Sequence, residues 1–517
     1  MMNRNNIPNI PAEKFRFVGE EGRMHDQKMD TKQISYFRDA FNRFCKNKSS
    51  VTAAIIIIIL VMYAIFVPVL FSNNYTDNPT DTDYLMYSKL LPKNPLCVEL
   101  GWNFWDGCSD EVLSENNFLA LKAIQTETGL PVIKEVYETF TTTDGKKETV
   151  NYSFRKNSYL SNGFTYMTLT EDQYKSIQAW QNESGIQVIY PAVEDAKATD
   201  ANIWYKTNKK GVALLNNAGE FQDVYRTSGG DGDYDSLRIP GDPGLEDPSA
   251  ENRYRYARIT GSSSAISYKC RIFKDAYFQY KFGHEANFYF GSTNEGRDIL
   301  TRLASGARFS LIFAVCISAI NLTIGAIYGA IEGYYGGMVD MLMERFTDIL
   351  ARVPFMVVTT LFQLHLAKQV GPVVSLLFAF VLTGWIGMAG TVRMQFYRFK
   401  GQEYVLASRV LGASDWRIMF RHIFPNSLGT IITSSVLVIP GVIFSESSLT
   451  YLGIVNLDTA TMTSVGTMLA NAKAYLSSHP HTIFFPAMFI SLLEISFNLF
   501  GNGLRDAFNP SLRGAED

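Results

Sequence analysis

Charged side chains in or beside long apolar segments are the residues of this sequence with the clearest capacity for chemistry. Asp348, Arg352 and Glu446 are in such positions, and ionisable groups in apolar surroundings either line a substrate path or make structural pairs. Asp348 precedes Arg352 by four residues, the spacing at which an acid and a base meet on one helix face. We interpret these two as an ion pair at a membrane boundary, with a charge relay as the alternative. We interpret Glu446 as structural, with contact to a substrate as the alternative.

Motifs typical of enzymes are absent from the sequence. It contains no GxxxxGK[ST] phosphate-binding loop, no HExxH zinc motif, no paired CxxC and no nucleophile elbow. We therefore expect no catalytic residue, no bound cofactor and no metal site, and the chain should not hydrolyse ATP itself. Asp231, Asp233 and Asp235 have the alternating spacing of a calcium loop, but the glycine and the distal glutamate of an EF-hand are missing. We interpret this stretch as a solvated loop and leave calcium binding open.

One polar, basic segment, 403–426, lies between two apolar segments that carry no charge, 371–392 and 427–445. Each apolar segment has about 20 residues, enough for a helix to cross a hydrocarbon layer roughly 30 Å thick. The polar segment is therefore a connection at one face of a membrane, and its internal pattern indicates that it is folded.

That pattern predicts two short helices with a turn between them. Apolar and small residues follow helical spacing from the start of the segment, and Gly412 is a natural helix end. Asp415 can cap a second helix over 416–420, and Pro425 should close that helix before the next apolar segment. We expect a compact helix–turn–helix that docks into a cleft on a cytoplasmic partner.

Six apolar segments predict a polytopic α-helical membrane protein, because a single globular domain seldom contains so many long apolar runs. Lys and Arg indicate the orientation, since they are enriched in cytoplasmic connections. Ten of them precede residue 51 and six lie in 393–426, whereas 454–481 contains only Lys473. Both termini should therefore be cytoplasmic. The six predicted spans are 51–71, 309–331, 346–366, 371–392, 427–446 and 482–503.

The polar block 72–290 separates the first two spans and contains an internal repeat. Residues 113–133 and 169–189 align without gaps at an offset of 56, and each copy begins at Ser or Thr and ends at Gly, as a capped helix does. Asp144 and Gly145 between two alternating segments predict a β-hairpin. We expect a folded extracellular α+β domain built from two related units.

The cysteines, the N-terminal segment and the predicted parts of the chain remain to be described. Five cysteines are too few for a disulfide framework, and a bridge between Cys97 and Cys108 stays open. Residues 1–33 should be disordered, and helical spacing of apolar residues over 34–48 predicts an amphipathic helix on the inner membrane face, or a plain basic flank. The predicted parts are a cytoplasmic tail 1–50, a first span 51–71, the extracellular domain 72–290, a core with five spans 291–510 and a cytoplasmic tail 511–517.

Several motifs, in the same order along the chain, resemble the permeases of ABC importers for dipeptides and oligopeptides. Similar to family motifs are FGSTNEGRDILTRLASGARFSL from Phe290, GYYGGMVD from Gly333 and NLFGNGLRDAFNP from Asn498. The lead SYFRDAFNRFCKNKSS favours the C-type subunit (OppC/DppC-like) over its B-type partner, and Glu446 matches an acidic position of the family. The segment 403–426 resembles the family's ATPase-coupling loop, and the resemblance is carried by Glu403, Ala407, Gly412, His422, Pro425 and Asn426. We expect Ser408, Ala413 and Asp415 to belong to the coupling loop as well.

The resemblance implies a type I importer fold with six membrane helices and a mechanism of alternating access. The chain would pair with a homologous B-type permease, with two cytoplasmic ATPases that bind ATP and Mg²⁺, and with an extracellular peptide-binding lipoprotein, but not with nucleic acid. It would carry oligopeptides across a bacterial plasma membrane and contact membrane lipid. The segments 91–107 and 268–283 are similar to a connection of Gram-positive members. The external block would dock the lipoprotein or shape the pore entrance.

Other functions remain open at this point. A permease of this kind could carry a nickel chelate, a sugar or a signalling peptide, and a membrane-anchored receptor could be built on the external block. An ion-driven secondary transporter would need inverted repeats within the membrane, and the one repeat found lies in 72–290.

Overall fold

Long apolar helices dominate the architecture. The computed structural model describes residues 36–71, 83–144, 147–193, 200–226, 234–235, 254–262, 265–459 and 462–508. Within these residues five helices are long and apolar enough to cross a membrane, and a bent helix pair makes a sixth crossing if it is counted as one span. The chain is therefore a polytopic helical membrane protein. Two helices precede the inserted block, α1 Tyr36–Lys46 and α2 Lys48–Leu70. The block itself contains α3 Pro95–Glu99, α4 Glu115–Thr128, α5 Glu171–Ser184 and α6 Lys274–Phe282. The remaining helices are α7 Ile299–Tyr335, α8 Gly337–Ala351, α9 Phe355–His365, α10 Ala367–Val370, α11 Pro372–Gly384, α12 Ile386–Phe399, α13 Glu403–Val410, α14 Asp415–Tyr451, α15 Val465–Ala472 and α16 His481–Phe508.

The third predicted span is not one continuous helix. Helices α8 and α9 meet at an angle of 70°, with the break over residues 352–354. Pro354 has no N–H to donate and disfavours the helical conformation at the residue before it, so the helix ends there. The prediction of a straight crossing over 346–366 is therefore wrong in its geometry.

The predicted pair of Asp348 and Arg352 is also absent. Arg352 is the residue at which α8 ends. Asp348 instead accepts a hydrogen bond from Arg345, three residues earlier, at 3.3 Å. Arg352 keeps helical backbone angles at the end of α8, so the i, i+4 spacing is present but the carboxylate pairs with Arg345 on the preceding turn.

Helices α7 and α12 approach each other closely along a row of glycines. Gly325, Gly329 and Gly333 recur every four residues on α7 and so share one face. A methyl group at Gly329 would lie 2.2 Å from the carbonyl oxygen of Ala389 on α12. Only glycine allows backbones to approach this closely in a membrane bundle.

The N-terminal helix α1 packs on the last span. Its apolar face buries Ala40 and Phe44 against Ala507, and the ring of Phe44 lies 5.3 Å from that of Phe500 in an edge-on contact. Phe41, at the edge of this face, is exposed. The helix predicted for this segment is present, and the disorder predicted for 1–33 lies outside the described residues.

The block between α2 and α7 contains two antiparallel sheets. One has the strand order β1-β3-β2, and the other has the order β4-β8-β7-β6, with β5 also pairing with β8. Cys97 and Cys108 are both free thiols in this block. Asp231 and Asp233 lie outside the described residues, as does the side chain of Asp235, so the calcium question stays untested. The strands are β1 Cys108–Ser114, β2 Ile133–Asp144, β3 Lys147–Asn157, β4 Phe164–Thr170, β5 Ile189–Tyr190, β6 Tyr234–Asp235, β7 Ala257–Ser262 and β8 Ala265–Phe273.

The sequence repeat corresponds to two copies of one folding unit, 108–157 and 164–273. In each copy a strand leads directly into a helix, a second strand follows, and a return strand pairs with both. The first strands, the helices and the starts of the second strands correspond at the sequence offset of 56. The return strands correspond at an offset of 116, because the second copy contains extra residues between β5 and β8. In the first copy Cys108 pairs with Asn157 and Ile133 with Lys156. The equivalent pairs in the second copy are Phe164 with Phe273 and Ile189 with Ile272.

Two equivalent glutamines make the same contact in the two units. The side-chain oxygen of Gln125 accepts a hydrogen bond from the backbone N–H of Ile133 at 2.9 Å. That of Gln181 accepts from Val188 at 3.0 Å and from Ile189 at 2.7 Å. Each glutamine accepts hydrogen bonds from backbone N–H groups at the start of a strand, and without it these N–H groups would lack a partner. This shared contact explains why glutamine occurs at the equivalent position of both copies.

A pair of glutamates at equivalent positions provides a matched test of the buried interactions. Glu127 accepts from Arg271 at 2.5 and 2.7 Å in the interior, whereas Glu183 is exposed. We expect Glu127→Gln to lower the unfolding free energy of this block by about 3 kcal/mol, because the guanidinium would lose its charged partner. Thermal unfolding and limited proteolysis of the full chain in detergent measure this. Glu183→Gln should leave the melting temperature unchanged, and equal effects of the two variants would contradict the interpretation.

Candidate functional site

The segment between the fourth and fifth spans folds into a helix, a tight turn and a second helix. Helix α13 ends at a turn in which Gly412 has a φ of +79°, a left-handed conformation that favours glycine. The N–H of Ala413 donates to the carbonyl of Ser408 at 3.1 Å, which closes the helix end in the manner of a Schellman motif. Helix α14 then begins at Asp415. The predicted helix–turn–helix is present.

The second helix of this segment does not end at Pro425. It continues through one π-helical turn, Ile418–Ile423, directly into the fifth span. The N–H of Phe424 bonds to the carbonyl of Met419, five residues earlier, and this wider turn adjoins the proline, which lacks a donor. The side-chain amide of Asn426 donates to the carbonyl of His422 at 2.8 Å. The prediction of a short helix closed by Pro425 is wrong, because local hydrogen bonds compensate for the proline.

One face of the loop is buried against the membrane bundle. Val405, Ile418, Met419 and Ile423 are buried and pack in one apolar cluster with residues of α7 and α12. This packing fixes the loop as part of the folded core, so that it cannot swing as a free connection.

The opposite face presents apolar side chains to the surroundings. Val410 and Leu411 are each 87% exposed, and Leu406 and Trp416 are also exposed. Large apolar side chains that are grouped on an exposed surface mark a site for contact with a protein or a membrane. The loop therefore has the properties of a docking surface.

The residues predicted from sequence divide between the exposed face and the frame of the loop. Glu403 is exposed in the first turn of α13, where a negative charge suits the helix dipole. The hydroxyl of Ser408 donates to the carbonyl of Tyr404 at 2.8 Å. The ring of His422 is half-buried and has no hydrogen bond among the described residues. Of the rest, Ala407, Gly412, Asp415, Pro425 and Asn426 are exposed, and Ala413 is half-buried.

A tyrosine that the sequence analysis did not single out joins the two helices of the loop. The hydroxyl of Tyr334, near the end of α7, donates to the carboxylate of Asp415 at 2.5 Å and accepts from the guanidinium of Arg409 at 3.3 Å. The ammonium of Lys400 also donates to the carbonyl of Gly333 at 2.9 Å. The end of the second span thus holds both sides of the turn. The similarity of GYYGGMVD to a family motif was the only sequence signal for it.

An arginine clamp at the same end of the bundle was also missed. Arg393 on α12 makes two hydrogen bonds to Asp340, at 2.6 and 3.0 Å, and two to Glu344, both at 2.8 Å. Glu332 lies 3.5 Å from the same guanidinium. These three carboxylates are close enough to ligate a metal, but the guanidinium satisfies them. In the sequence Arg393 is recognisable only as one positive charge of a predicted cytoplasmic loop.

Glu446 lies far along α14 from the loop, in a fully buried position. Its carboxyl group accepts hydrogen bonds from Ser310 at 3.1 Å, Thr450 at 3.2 Å and Ser447 at 3.4 Å. Within the described residues no basic side chain bonds to it. Hydroxyl groups on two spans therefore satisfy this carboxyl group, and its place between α7 and α14 agrees with a structural role. Asp348 and Arg352 lie on the bent pair and do not join it.

Two family models match segments on either side of the inserted block. Residues 321–514 match the family described as the inner membrane component of binding-protein-dependent transport systems, and 35–92 match the N-terminal transmembrane domain of oligopeptide transport permease C. The loop and its anchors lie within the first match.

Individual relatives agree with these matches. The oligopeptide transport permease OppC of Bacillus subtilis is 42% identical over 44% of this chain and 72% of its own length. The dipeptide permease DppC of the same organism is 40% identical over 70% of its length, again over 44% of this chain. The OppC of Haemophilus influenzae is 40% identical over 72% of its length and 44% of this chain. The inward-facing MetNI methionine ABC transporter aligns with a TM-score of 0.33 and 13% identity, over 40% of this chain and 96% of that one, a likeness too weak to carry weight.

The tyrosine bridge generates a test of how the loop is held. We expect Tyr334→Phe to increase amide hydrogen exchange of residues 403–414 by roughly thirtyfold, because the two lost hydrogen bonds contribute about 1 kcal/mol each. Hydrogen exchange of the full chain with mass spectrometry measures this. Tyr335→Phe is the matched control, since Tyr335 is exposed and its hydroxyl has no hydrogen bond among the described residues. Equal exchange in the two variants would show that the bridge does not hold the loop.

Proposed function

We propose that this chain forms part of the path by which a bacterial importer takes up short peptides, because it belongs to the family of oligopeptide and dipeptide transport permeases. It is a multi-pass membrane protein and a transport subunit, and its sequence contains no motif for ATP hydrolysis. The peptide cargo is taken from the names of its relatives, several of which are oligopeptide or dipeptide permeases.

The main support for coupling to an ATPase is the rigid, apolar outer face of segment 403–426. Val410, Leu411 and Trp416 project from a frame that the bundle holds through Tyr334 and buried apolar contacts. Such a surface fits a cleft on a cytoplasmic ATPase, and large apolar and aromatic side chains are the usual anchors of protein interfaces. ATP and Mg²⁺ would be bound by two such ATPases and not by this chain.

Force would pass from the ATPases to the pore through helix α14. This helix runs without a break from the loop across the membrane, so a movement of the loop must also move the fifth span. A homologous B-type permease would supply the other half of the pathway. Closure of the ATPases on ATP would then change which side of the membrane the pathway faces, as alternating access requires.

The distribution of Lys and Arg supports cytoplasmic termini, with the inserted block outside. The ten basic residues before the first span and the six in 393–426 would then be inside. On this orientation the two-unit α+β block faces the exterior, where a peptide-binding lipoprotein would meet the permease. The similarity of 91–107 and 268–283 to a connection of Gram-positive members supports a location in the plasma membrane of a Gram-positive cell.

The long hairpin of the first unit is the part of the block best placed to meet that lipoprotein. Strand β2 has 12 residues and spans about 40 Å, whereas α4, which packs on this sheet, has 14 residues and spans about 21 Å. The ring of Phe118 on α4 stacks on Tyr152 at 4.1 Å. Beyond that contact the hairpin projects from the unit, with the side chains of 141–143 exposed.

A charge on the exposed face of the loop should separate the chain from its ATPases. We expect Leu411→Asp to reduce peptide uptake and co-purification of ATPase subunits by about tenfold or more, because a buried unpaired carboxylate costs several kcal/mol. Transport into proteoliposomes and pull-down of the assembled importer measure the two effects. Val112→Asp, an exposed position of the inserted block, is the control. Full uptake by Leu411→Asp would rule out this docking surface.

Shortening the hairpin tests the external partner. We expect replacement of 140–151 by Asn-Gly, which preserves the pairing of Thr139 with Tyr152, to weaken binding of the peptide-binding lipoprotein about tenfold. Surface plasmon resonance on the importer in nanodiscs measures the affinity. An unchanged melting temperature would show that the unit still folds, and an unchanged affinity would contradict docking through the hairpin.

A further inference from the structure

Residues 94–105, here called the aromatic loop, expose an unusual number of large apolar side chains. Within these 12 residues the only charged side chain is Glu99. Six of the side chains are between 41% and 65% exposed, namely Leu96, Val98, Leu100, Trp102, Phe104 and Trp105. A contiguous apolar surface of this kind is rare on a part of a protein that faces only water.

Backbone hydrogen bonds make the aromatic loop rigid. The N–H of Asn94 donates to the carbonyl of Trp105 at 2.8 Å and closes the loop at its base. The N–H of Trp102 donates to the carbonyl of Cys97 at 2.9 Å across its interior. The rings of Trp102 and Phe104 are stacked with their centres 5.2 Å apart. The apolar side chains are therefore presented by a fixed scaffold and do not depend on a partner to order them.

An arginine of the first α+β unit clamps the base of the loop. Arg155 on β3 donates to the carbonyl of Asn103 at 2.7 Å and to both carboxylate oxygens of Asp106 at 3.0 Å. Burial is the largest influence on the pKa of Asp106 and by itself would raise it, but the hydrogen bonds from Arg155 and Cys108 and the charge of Arg155 together lower the pKa, so Asp106 stays ionised. The loop and the unit therefore move as one body.

The apolar surface of the loop is continuous with that of a membrane span. The ring of Trp105 lies 6.2 Å from that of Phe485, in the first turns of α16, and 6.5 Å from that of Phe290. Phe484, the neighbour of Phe485, is itself exposed. Trp105 has a φ of +53°, an unfavourable conformation for a bulky residue, and the closing hydrogen bond at its carbonyl holds it there.

This contact places the loop at the opposite end of the bundle from segment 403–426. That segment bonds to Tyr334 at the far end of α7, whereas Phe290 precedes the beginning of the same helix. A loop beside the first turns of α16 lies at the height of the membrane–water boundary, where aromatic side chains are enriched.

We propose that the aromatic loop inserts into the interface of the lipid leaflet at this end of the bundle and anchors the α+β block to the membrane. Its single charge is acidic, so insertion is driven by apolar burial and does not require anionic lipid. Through the Arg155 clamp the inserted loop fixes the tilt of the first unit, including its projecting hairpin, relative to the membrane. This role does not depend on which molecule the importer carries.

Site-directed fluorescence in nanodiscs tests the insertion. Phe104→Cys and, as the matched control, Val136→Cys on the exposed hairpin are made in a variant without the five native cysteines and labelled with a small environment-sensitive probe. The full-length chain, with the subunits that accompany it, is placed in phosphatidylcholine nanodiscs, which leave both membrane faces accessible. We expect phosphatidylcholine with a nitroxide near its headgroup to quench the probe at 104 at least threefold more than the probe at 136. Aqueous iodide should show the reverse order.

Two results would overturn the proposal. Equal iodide quenching at the two positions would show that the loop faces water. Protection at 104 from both iodide and the nitroxide lipid would show that another protein subunit covers it. If the cysteine-free chain does not fold, hydroxyl-radical footprinting of the unmodified importer in nanodiscs replaces the probes. Trp102 and Phe104 should then be protected at least threefold relative to Tyr137, and equal modification would refute insertion.

Discussion

The close contact between helices α7 and α12 is the constraint on which the end of the bundle that carries segment 403–426 depends. Glycines at 325, 329 and 333 allow the two backbones to touch, and a methyl group at any of these positions would meet backbone or side-chain atoms of α12 at less than 3 Å. This contact sets Tyr334 beside the loop and Arg393 beside Asp340. The docking face of 403–426 is consequently held by the second and fourth spans as well as by its own two ends.

The continuity of α14 connects segment 403–426 rigidly to the fifth span. A helix that ended at Pro425 would leave a flexible joint between the docking surface and the fifth span. The π-helical turn over Ile418–Ile423 instead carries the chain past the proline, and side-chain donors such as Asn426 occupy carbonyls near it. The loop and the span are one rigid element, which is the property that a coupling device requires.

The inserted block shows how a duplicated unit acquires different surroundings. Gln125 and Gln181 retain the same contact to the following strand. The glutamates two positions later have diverged, since Glu127 is buried with Arg271 while Glu183 faces the solvent. The first unit instead contributes Arg155, which ties the block to the aromatic loop. One unit thus connects the block to the membrane core, and the other accommodates the additional residues between β5 and β8.

Properties that depend on neighbouring residues could be predicted before the fold was known: the apolar spans, the basic connections, the Gly412 turn and the duplicated unit. Hydropathy, helix caps and a glycine at positive φ act within a few residues, so they can be recognised without a fold. The continuation of the helix past Pro425 and the pairing of Asp348 with Arg345 depend on local hydrogen bonds, although the sequence predicts other outcomes for both. The tertiary structure sets the angle of the 70° bend before Phe355 and the partners of Glu446. The Tyr334 bridge and the Arg393 clamp belong to this second group, because each joins residues at least 49 positions apart. Such contacts arise from helix packing, which brings together polar groups that no local pattern relates.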